Sequence, residues 1–233
     1  MPRPGRGESR ADLAGEIKRV ARAQMAEHGT AGVSLRGIAR ALEITAPAIY
    51  NYYPRLDDLL TALIVDAFSD LAVALEEAAA SAPGGTNRDR IFAASLRYRT
   101  WALERPVEFQ LIYGNPIPGY AAPFEITAPL ARRPFATLGR YFVAAWQSGE
   151  LSLPYDTANV PESITQHMEI WRRETGTEAP TEPLYAFIVA WTRLHGMVTL
   201  ELFHHTQPAI GDTEALYRHE VNAYLDQLGL PSG

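Results

Sequence analysis

Between its prolines, this chain repeats its apolar residues every three or four positions, and that spacing restricts it to helices. Leu13, Ile17, Val20, Ala21 and Met25 set the pattern and Gly29 stops it, so a first helix is expected from Ala11 to His28. Ser34 opens a second helix as N-cap, with Leu35, Ile38, Ala39 and Leu42 as its buried stripe. Thr45 can cap a third, in whose first turn Pro47 is tolerated because that N–H is unpaired anyway, and Pro54 ends it. Asp57 and Asp58 suit the positive end of a long fourth helix that runs on to a linker at Ser81–Thr86. Amphipathic stretches follow at about 88–104, 106–113, 124–148, 160–175, 182–205 and 212–228, broken at Pro106, Pro116, Pro118, Pro123, Pro154, Pro161, Pro180 and Pro183. No segment of length alternates apolar and polar residues between hairpin turns, so the fold class is all-α.

Charge divides the chain. Residues 1–55 carry 9 basic and 5 acidic side chains, whereas residues 56–233 carry 12 and 22. A basic head on an acidic body is the pattern of an anion-binding module joined to a part that avoids polyanions. The expected organisation is a flexible basic arm over 1–10, a small helical domain over 11–55 and a helical body over 56–233, with the fourth helix connecting them. Without a single cysteine, thiol catalysis, disulfides and Cys-ligated metal centres are excluded. No apolar run reaches the ~18–20 residues that span a bilayer, and Met1–Asp12 has no apolar leader. A soluble, cytoplasmic protein is expected.

The head carries a specific arrangement. Leu35, Ile38, Ala39, Leu42, Ile44 and Ile49 form the apolar skeleton of a helix-turn-helix, with small Ala39 where the helices cross. In such a unit the second helix lies in the DNA major groove with its N-terminal residues nearest the bases. Thr45 can hydrogen-bond base or phosphate there, and the Pro47 ring and Ala48 methyl can meet thymine methyls. Tyr50, Asn51 and Tyr52 are placed to reach phosphates on either side. The Arg3–Gly7 arm either enters a minor groove or stays disordered.

Val33-Ser34-Leu35-Arg36-Gly37-Ile38-Ala39, then Ile44-Thr45-Ala46-Pro47-Ala48-Ile49-Tyr50-Asn51-Tyr52-Tyr53-Pro54 and Asp58-Leu59-Leu60, resembles the N-terminal domain of the TetR (tetracycline-repressor-like) family over residues 12–62. The resemblance implies a homodimeric, ligand-responsive transcriptional regulator, usually a repressor. It places Ser34 and Arg36 on phosphate or groove edge, Thr45, Ala46, Pro47 and Ala48 on bases, and Tyr50 and Tyr52 on phosphate. Two positions depart from the family pattern. Glu43 stands where the turn usually has glycine, at a cost of about 1 kcal/mol if the backbone is left-handed there. Leu56 stands where the family has a phosphate-contacting lysine, and neighbouring Arg55 is the available substitute.

In the body, Trp191-Thr192-Arg193-Leu194-His195-Gly196 resembles the Trp…His-Gly signature of one C-terminal domain type of the same family, and Glu104–Leu111 resembles its junction between the fifth and sixth helices. Gly196 inside a helix costs ~1 kcal/mol, which suggests close approach of another helix. His195 either points into an effector cavity or ties its helix to a neighbour. A bundle cavity lined by aromatics binds apolar ligands, and the candidates are Trp101, Phe109, Tyr113, Trp146, His167, Trp171, Trp191 and His195. The Pro/Gly-rich segment Tyr113–Tyr120 is a lid or floor of that cavity, or a plain connection. The stretches at about 182–205 and 212–228 match in position the helices that form the family's dimer interface.

Glu201 and His205 are two ligands without a third, and neither a metalloprotease, a phosphate-loop nor a dinucleotide motif is present. No metal and no cofactor are expected. The expected function is operator DNA binding by a dimer, released by an apolar or aromatic effector. The rival readings are an effector-independent DNA-binding dimer and an all-α small-molecule enzyme.

Overall fold

A computed structural model of the protein describes residues 6–153, 159–175 and 178–230. Its helices are α1 (Arg6–His28), α2 (Leu35–Ala41), α3 (Ala46–Tyr50), α4 (Leu56–Ala80), α5 (Asn87–Glu104), α6 (Pro106–Tyr113), α7 (Phe124–Gln147), α8 (Glu162–Thr175), α9 (Thr181–Leu202) and α10 (Thr213–Gln227). There is no strand among the described residues. The helices fall where the apolar spacing puts them. The largest difference is at the start: α1 begins at Arg6 instead of Ala11, because apolar spacing marks only the packed part of a helix and is blind to a polar first turn. Residues 1–5 of the expected arm lie outside the described residues.

The chain divides into two compact units, one made of Met1–Asp70 and Arg105–Ala131, the other of Leu71–Glu104 and Arg132–Gly233. Helices α4 and α7 contribute to both. Within α7, Pro129 and Pro134 each lack the N–H that the helical ladder needs, and the division falls between them.

The first unit is built around Ile17 and Ala21 of α1, Ile38 of α2, Ile49 of α3 and Leu59 of α4, all fully buried. Ion pairs tie three helices around this core. Asp66 of α4 receives Lys18 at 2.8 Å and Arg22 at 3.2 Å, and Arg22 also meets Glu108 of α6 at 3.1 Å.

In the second unit, α5 holds α10 with two buried arginines three turns apart. Arg88 donates to the Leu230 carbonyl and to Asn222 at 3.0 Å, and pairs with Asp226 at 2.7 Å. Arg99 forms a two-point pair with Glu201 of α9 at 2.7 and 2.6 Å, and the Thr213 hydroxyl at the start of α10 donates to the same carboxylate at 2.6 Å. Burial pushes the Glu201 carboxyl up, but the hydrogen bonds from Arg99 and Thr213 outweigh it and hold the group below its ordinary value of 4.5.

Four helices stop in the same way. Past the C-cap of α2, α7, α9 and α10 comes a residue with left-handed backbone: Glu43 (φ 53°), Gly149 (74°), His204 (59°) and Gly229 (72°). The N–H that follows each one reaches back to close the last turn, Ile44 to Ala39 at 3.0 Å, Glu150 to Ala145 at 2.9 Å, His205 to Leu200 at 2.8 Å and Leu230 to Leu225 at 3.1 Å. Two of the four positions therefore carry a side chain where glycine fits without strain.

Candidate nucleic-acid interface and effector cavity

The helix-turn-helix is assembled by this stop. The Glu43 N–H donates to the Arg40 carbonyl at 3.2 Å, and Ile44 then turns inward to pack on the core beside Leu42. With Ala39 and Ile49 buried, the outer side of α3 is left to solvent. Thr45, Ala46, Pro47, Tyr50 and Asn51 are exposed in succession, and Ala48 is half-buried. Thr45 has the extended backbone of a cap, yet its hydroxyl makes no capping hydrogen bond. Tyr52 is half-buried against the core of the first unit.

On α2, the Ser34 hydroxyl accepts the Gly37 N–H at 3.1 Å, so this residue is a structural cap whatever else it touches. Arg36 and Arg40, one turn apart, are exposed, and no carboxylate lies within 4.0 Å of either among the described residues. Sequence reasoning passed over Arg40, although its i,i+4 spacing from Arg36 was the available signal. Arg55 stands differently. It pairs with Asp57 while its backbone N–H donates to Asp58 at 2.9 Å, fastening the start of α4. Leu56 packs half-buried on the core, where a lysine's charge would be poorly placed.

A cavity lies within the second unit between α5, α7, α9 and α10. Tyr98, Phe142, Phe187, Trp191 and Tyr224 form its aromatic wall, with aliphatic side chains from all four helices. It encloses ≈ 570 Å³ of atom-free space counting its open mouth, and its interior is narrow. The Tyr98 hydroxyl meets His195 Nδ1 at 2.7 Å, and the Trp191 ring stacks on the imidazole at 5.0 Å between centroids. Burial lowers the His195 pKa from 6.5, which keeps the ring neutral. At the mouth, Arg193 pairs with Glu220 at 3.1 Å.

Of the eight residues proposed from sequence for ligand contact, Trp191 lines this cavity and His195 stands behind Tyr98. Trp101 is 1% exposed in the packed core, its indole N–H buried without an acceptor among the described residues. Trp146 is half-buried on α7 away from the lining, and His167 and Trp171 are exposed on α8. Phe109 and Tyr113 belong to the first unit, where Tyr113 meets Phe68 edge-on at 6.0 Å and burial raises its phenol pKa. The segment after Tyr113 is neither lid nor floor of this cavity. Ile117 and Tyr120 pack on the first unit's core, and the Tyr120 hydroxyl bonds Thr61 at 2.9 Å. Spacing missed Tyr98, Phe142, Phe187 and Tyr224, because a buried stripe looks the same whether it fills a core or lines a gap.

Gly196 does not admit a neighbour from its own fold, since a Cβ built there meets nothing within 4 Å. Among the described residues no group of three His, Asp or Glu side chains is placed to hold a metal ion, and no helix is long and apolar enough to cross a membrane.

An exposed recognition helix on a helix-turn-helix, carried by an all-helical chain, defines a DNA-binding transcriptional regulator. Family models described as "Bacterial regulatory proteins, tetR family" and "Tetracyclin repressor-like, C-terminal domain" match residues 17–63 and 91–224. The chain belongs to the TetR family. It is 33% identical over 198 residues to the HTH-type transcriptional regulators Rv1816 of Mycobacterium tuberculosis and Mb1846 of Mycobacterium bovis, covering 85% of this chain and 84% of theirs. The crystal structure of the regulatory protein SCO4313 superposes with a TM-score of 0.79 at 31% identity, covering 97% of this chain and 100% of that one. The TetR family regulator PfmR from Thermus thermophilus shares the fold at a TM-score of 0.60 and 16% identity, covering 93% and 99%. Both mycobacterial relatives are transcriptional regulators.

Proposed function

We propose that the protein is a homodimeric repressor that leaves a near-palindromic operator when a small apolar or aromatic effector occupies the cavity of its second unit. The observation that carries this reading is that cavity: walled by five aromatic rings and lined by four helices of one unit. In this reading two heads occupy major grooves about 34 Å apart or a multiple of it, because one head reads only half a site. Thr45, Ala46, Pro47 and Ala48 face the bases. Ser34, Arg36, Tyr50, Asn51 and Tyr52 hold the backbone, and Arg55 joins them only by releasing Asp57.

Dimerisation through α9 and α10 is supported by an outward stripe along α9 and its C-cap residue Phe203. Gly196 with open space above it, Leu200 at 46% exposure and Phe203 at 47% follow one another at helical spacing. The effector acts only through its differential affinity for the two conformers, and a ~100-fold loss of DNA affinity corresponds to about 2.7 kcal/mol of coupling. Such a protein works where the chromosome is, in the cytoplasm.

The test is a fluorescence-anisotropy titration against DNA upstream of the protein's own gene, with scrambled DNA as control, at several salt concentrations. Selective binding with a steep salt slope supports a specific reader. Loss of the signal on adding an apolar compound supports the effector. The narrowness of the cavity favours a second reading, an effector-independent dimer, and DNA binding indifferent to every apolar compound that enters the cavity would establish it.

A further inference from the structure

We infer that the cavity opens onto the stripe of α9 that a second copy of this chain covers, so that the partner completes the site and an apolar ligand tightens the dimer. The inference rests on the reading of the cavity as the effector site and of α9 as a dimer helix. Burial sets the open side. Every lining residue from α5 and α7 is buried, as are Val221, Tyr224 and Leu225 of α10. The lining residues that reach solvent lie on α9, with Glu220 of α10 beside them. Arg193 is exposed where Leu194, Met197 and Glu220 are half-buried.

Arg193 also stands in the outward stripe. Val189, Arg193, Gly196 and Leu200 of α9 and its C-cap Phe203 follow at intervals of four, three, four and three. That alternation is the spacing by which one helix lays a narrow seam against another. Leu200 and Phe203 are exposed in it, and a Cβ built on Gly196 meets nothing, which leaves room for a neighbouring backbone. The one charge of the seam is matched within the chain, Arg193 by Glu220 at 3.1 Å, so a covering helix buries no lone cation. A second copy suits such a seam because a two-fold pair sets the same stripe on both sides. Since Arg193 edges the cavity and belongs to the seam, a partner laid along the seam lies over the mouth. Closing the mouth takes the outer edge of a bound ligand out of water. By linkage, the ligand then favours the dimer by the factor by which the dimer favours the ligand. An effector of this kind releases DNA by changing the shape of the dimer, not by splitting it.

The probe is N-phenyl-1-naphthylamine, uncharged and fluorescent when removed from water. It is titrated into the full-length protein while sedimentation reads the oligomeric state and anisotropy reads DNA release. Wild-type dimer is compared with Leu200→Glu, which sets a carboxylate in the seam of each copy at a residue outside the lining. The variant is expected to be a folded monomer by circular dichroism and to hold the probe about tenfold more weakly, as about 55 Å² of apolar surface left in water would give. Leu138→Trp fills the cavity and should abolish binding; binding that survives it places the probe elsewhere and overturns the inference. If Leu200→Glu does not fold, dilution of the wild type reads the same coupling. With one cavity per protomer, saturating probe should lower the dimer dissociation constant by about the square of the factor, about a hundredfold. Equal affinity in dimer and monomer, or a dissociation constant indifferent to the probe, overturns the completed site, while DNA release by the probe keeps the effector reading. A Leu200→Glu protein that stays dimeric overturns it as well, by placing the interface elsewhere. Dimer-dependent binding without DNA release keeps the completed site and overturns the effector reading. No binding to any form overturns both.

Discussion

Replacing Glu43 by glycine should stabilise the protein, although it removes a side chain from the centre of the helix-turn-helix. Glu43 has φ 53° and donates its N–H to the Arg40 carbonyl, and its carboxylate makes no hydrogen bond or ion pair among the described residues. A side chain in left-handed backbone costs about 1–2 kcal/mol, which glycine avoids. Glycine returns about 0.4–1 kcal/mol through the greater freedom of its unfolded chain. The net gain is about 0.5–1 kcal/mol, or about 2–4 °C in Tm per kcal/mol for a chain of this size. Thermal and urea unfolding of Glu43→Gly, Glu43→Ala and Gly149→Ala reads this directly. Alanine at this position keeps the strain and should gain nothing. Gly149 has φ 74° and open space around its Cβ position, so Gly149→Ala should lose about 1 kcal/mol from backbone alone. Equal gains from Glu43→Gly and Glu43→Ala would mean that charge, not backbone, sets the effect, and the reasoning would be wrong.

Arg36→Ala should weaken binding to every DNA sequence and lower the salt slope by about one, measured by anisotropy across salt. Arg99→Ala strands the Glu201 carboxylate and should cost about 3–5 kcal/mol, whereas a joint Arg99→Met, Glu201→Leu change should cost far less. With its folded pKa below 4.5, Glu201 contributes stability that is full above that value and lost as pH falls through the folded pKa; Glu201→Gln should flatten acid unfolding in that range. Gly196→Ala should raise the stability of the isolated protomer by about 1 kcal/mol of helix propensity yet weaken the dimer, seen as a higher dissociation constant in sedimentation; a tighter or unchanged dimer would show that no partner helix approaches there.

The helices and the head were legible because each is a local matter. A cap such as Ser34, a breaker such as Pro54 and a stripe such as Leu35-Ile38-Ala39 act within a few residues of one another. The left-handed turn at Glu43 was readable for the same reason. What spacing does not hold is which stripe meets which. Phe109 and Tyr113 follow α5 directly in sequence, yet α6 joins the first unit through the Arg22–Glu108 pair, a partnership 86 positions apart that no periodicity encodes. The Tyr98–His195 contact was invisible for a related reason, since 97 positions separate the two residues.

The same argument changes how the charge asymmetry is understood. Net charge makes the body look hostile to DNA, but most of its arginines are already matched: Arg88 by Asp226, Arg99 by Glu201, Arg133 by Glu76 and Arg218 by Glu214. Arg90 and Arg140 instead lie over the Tyr141 ring. In the head, Lys18, Arg19, Arg22 and Arg55 are matched too. A phosphate competes poorly for a cation that a protein carboxylate already holds in good geometry, because the first partner must be given up. Arg36 and Arg40 carry no such cost. In the proposed reading, Arg36 and Arg40, exposed on α2 without a carboxylate partner among the described residues, hold the polyanion beside an uncharged recognition helix. In that reading sequence specificity would be left to Thr45, Pro47 and Ala48, through hydrogen bonds and methyl contacts that a long-range field cannot supply.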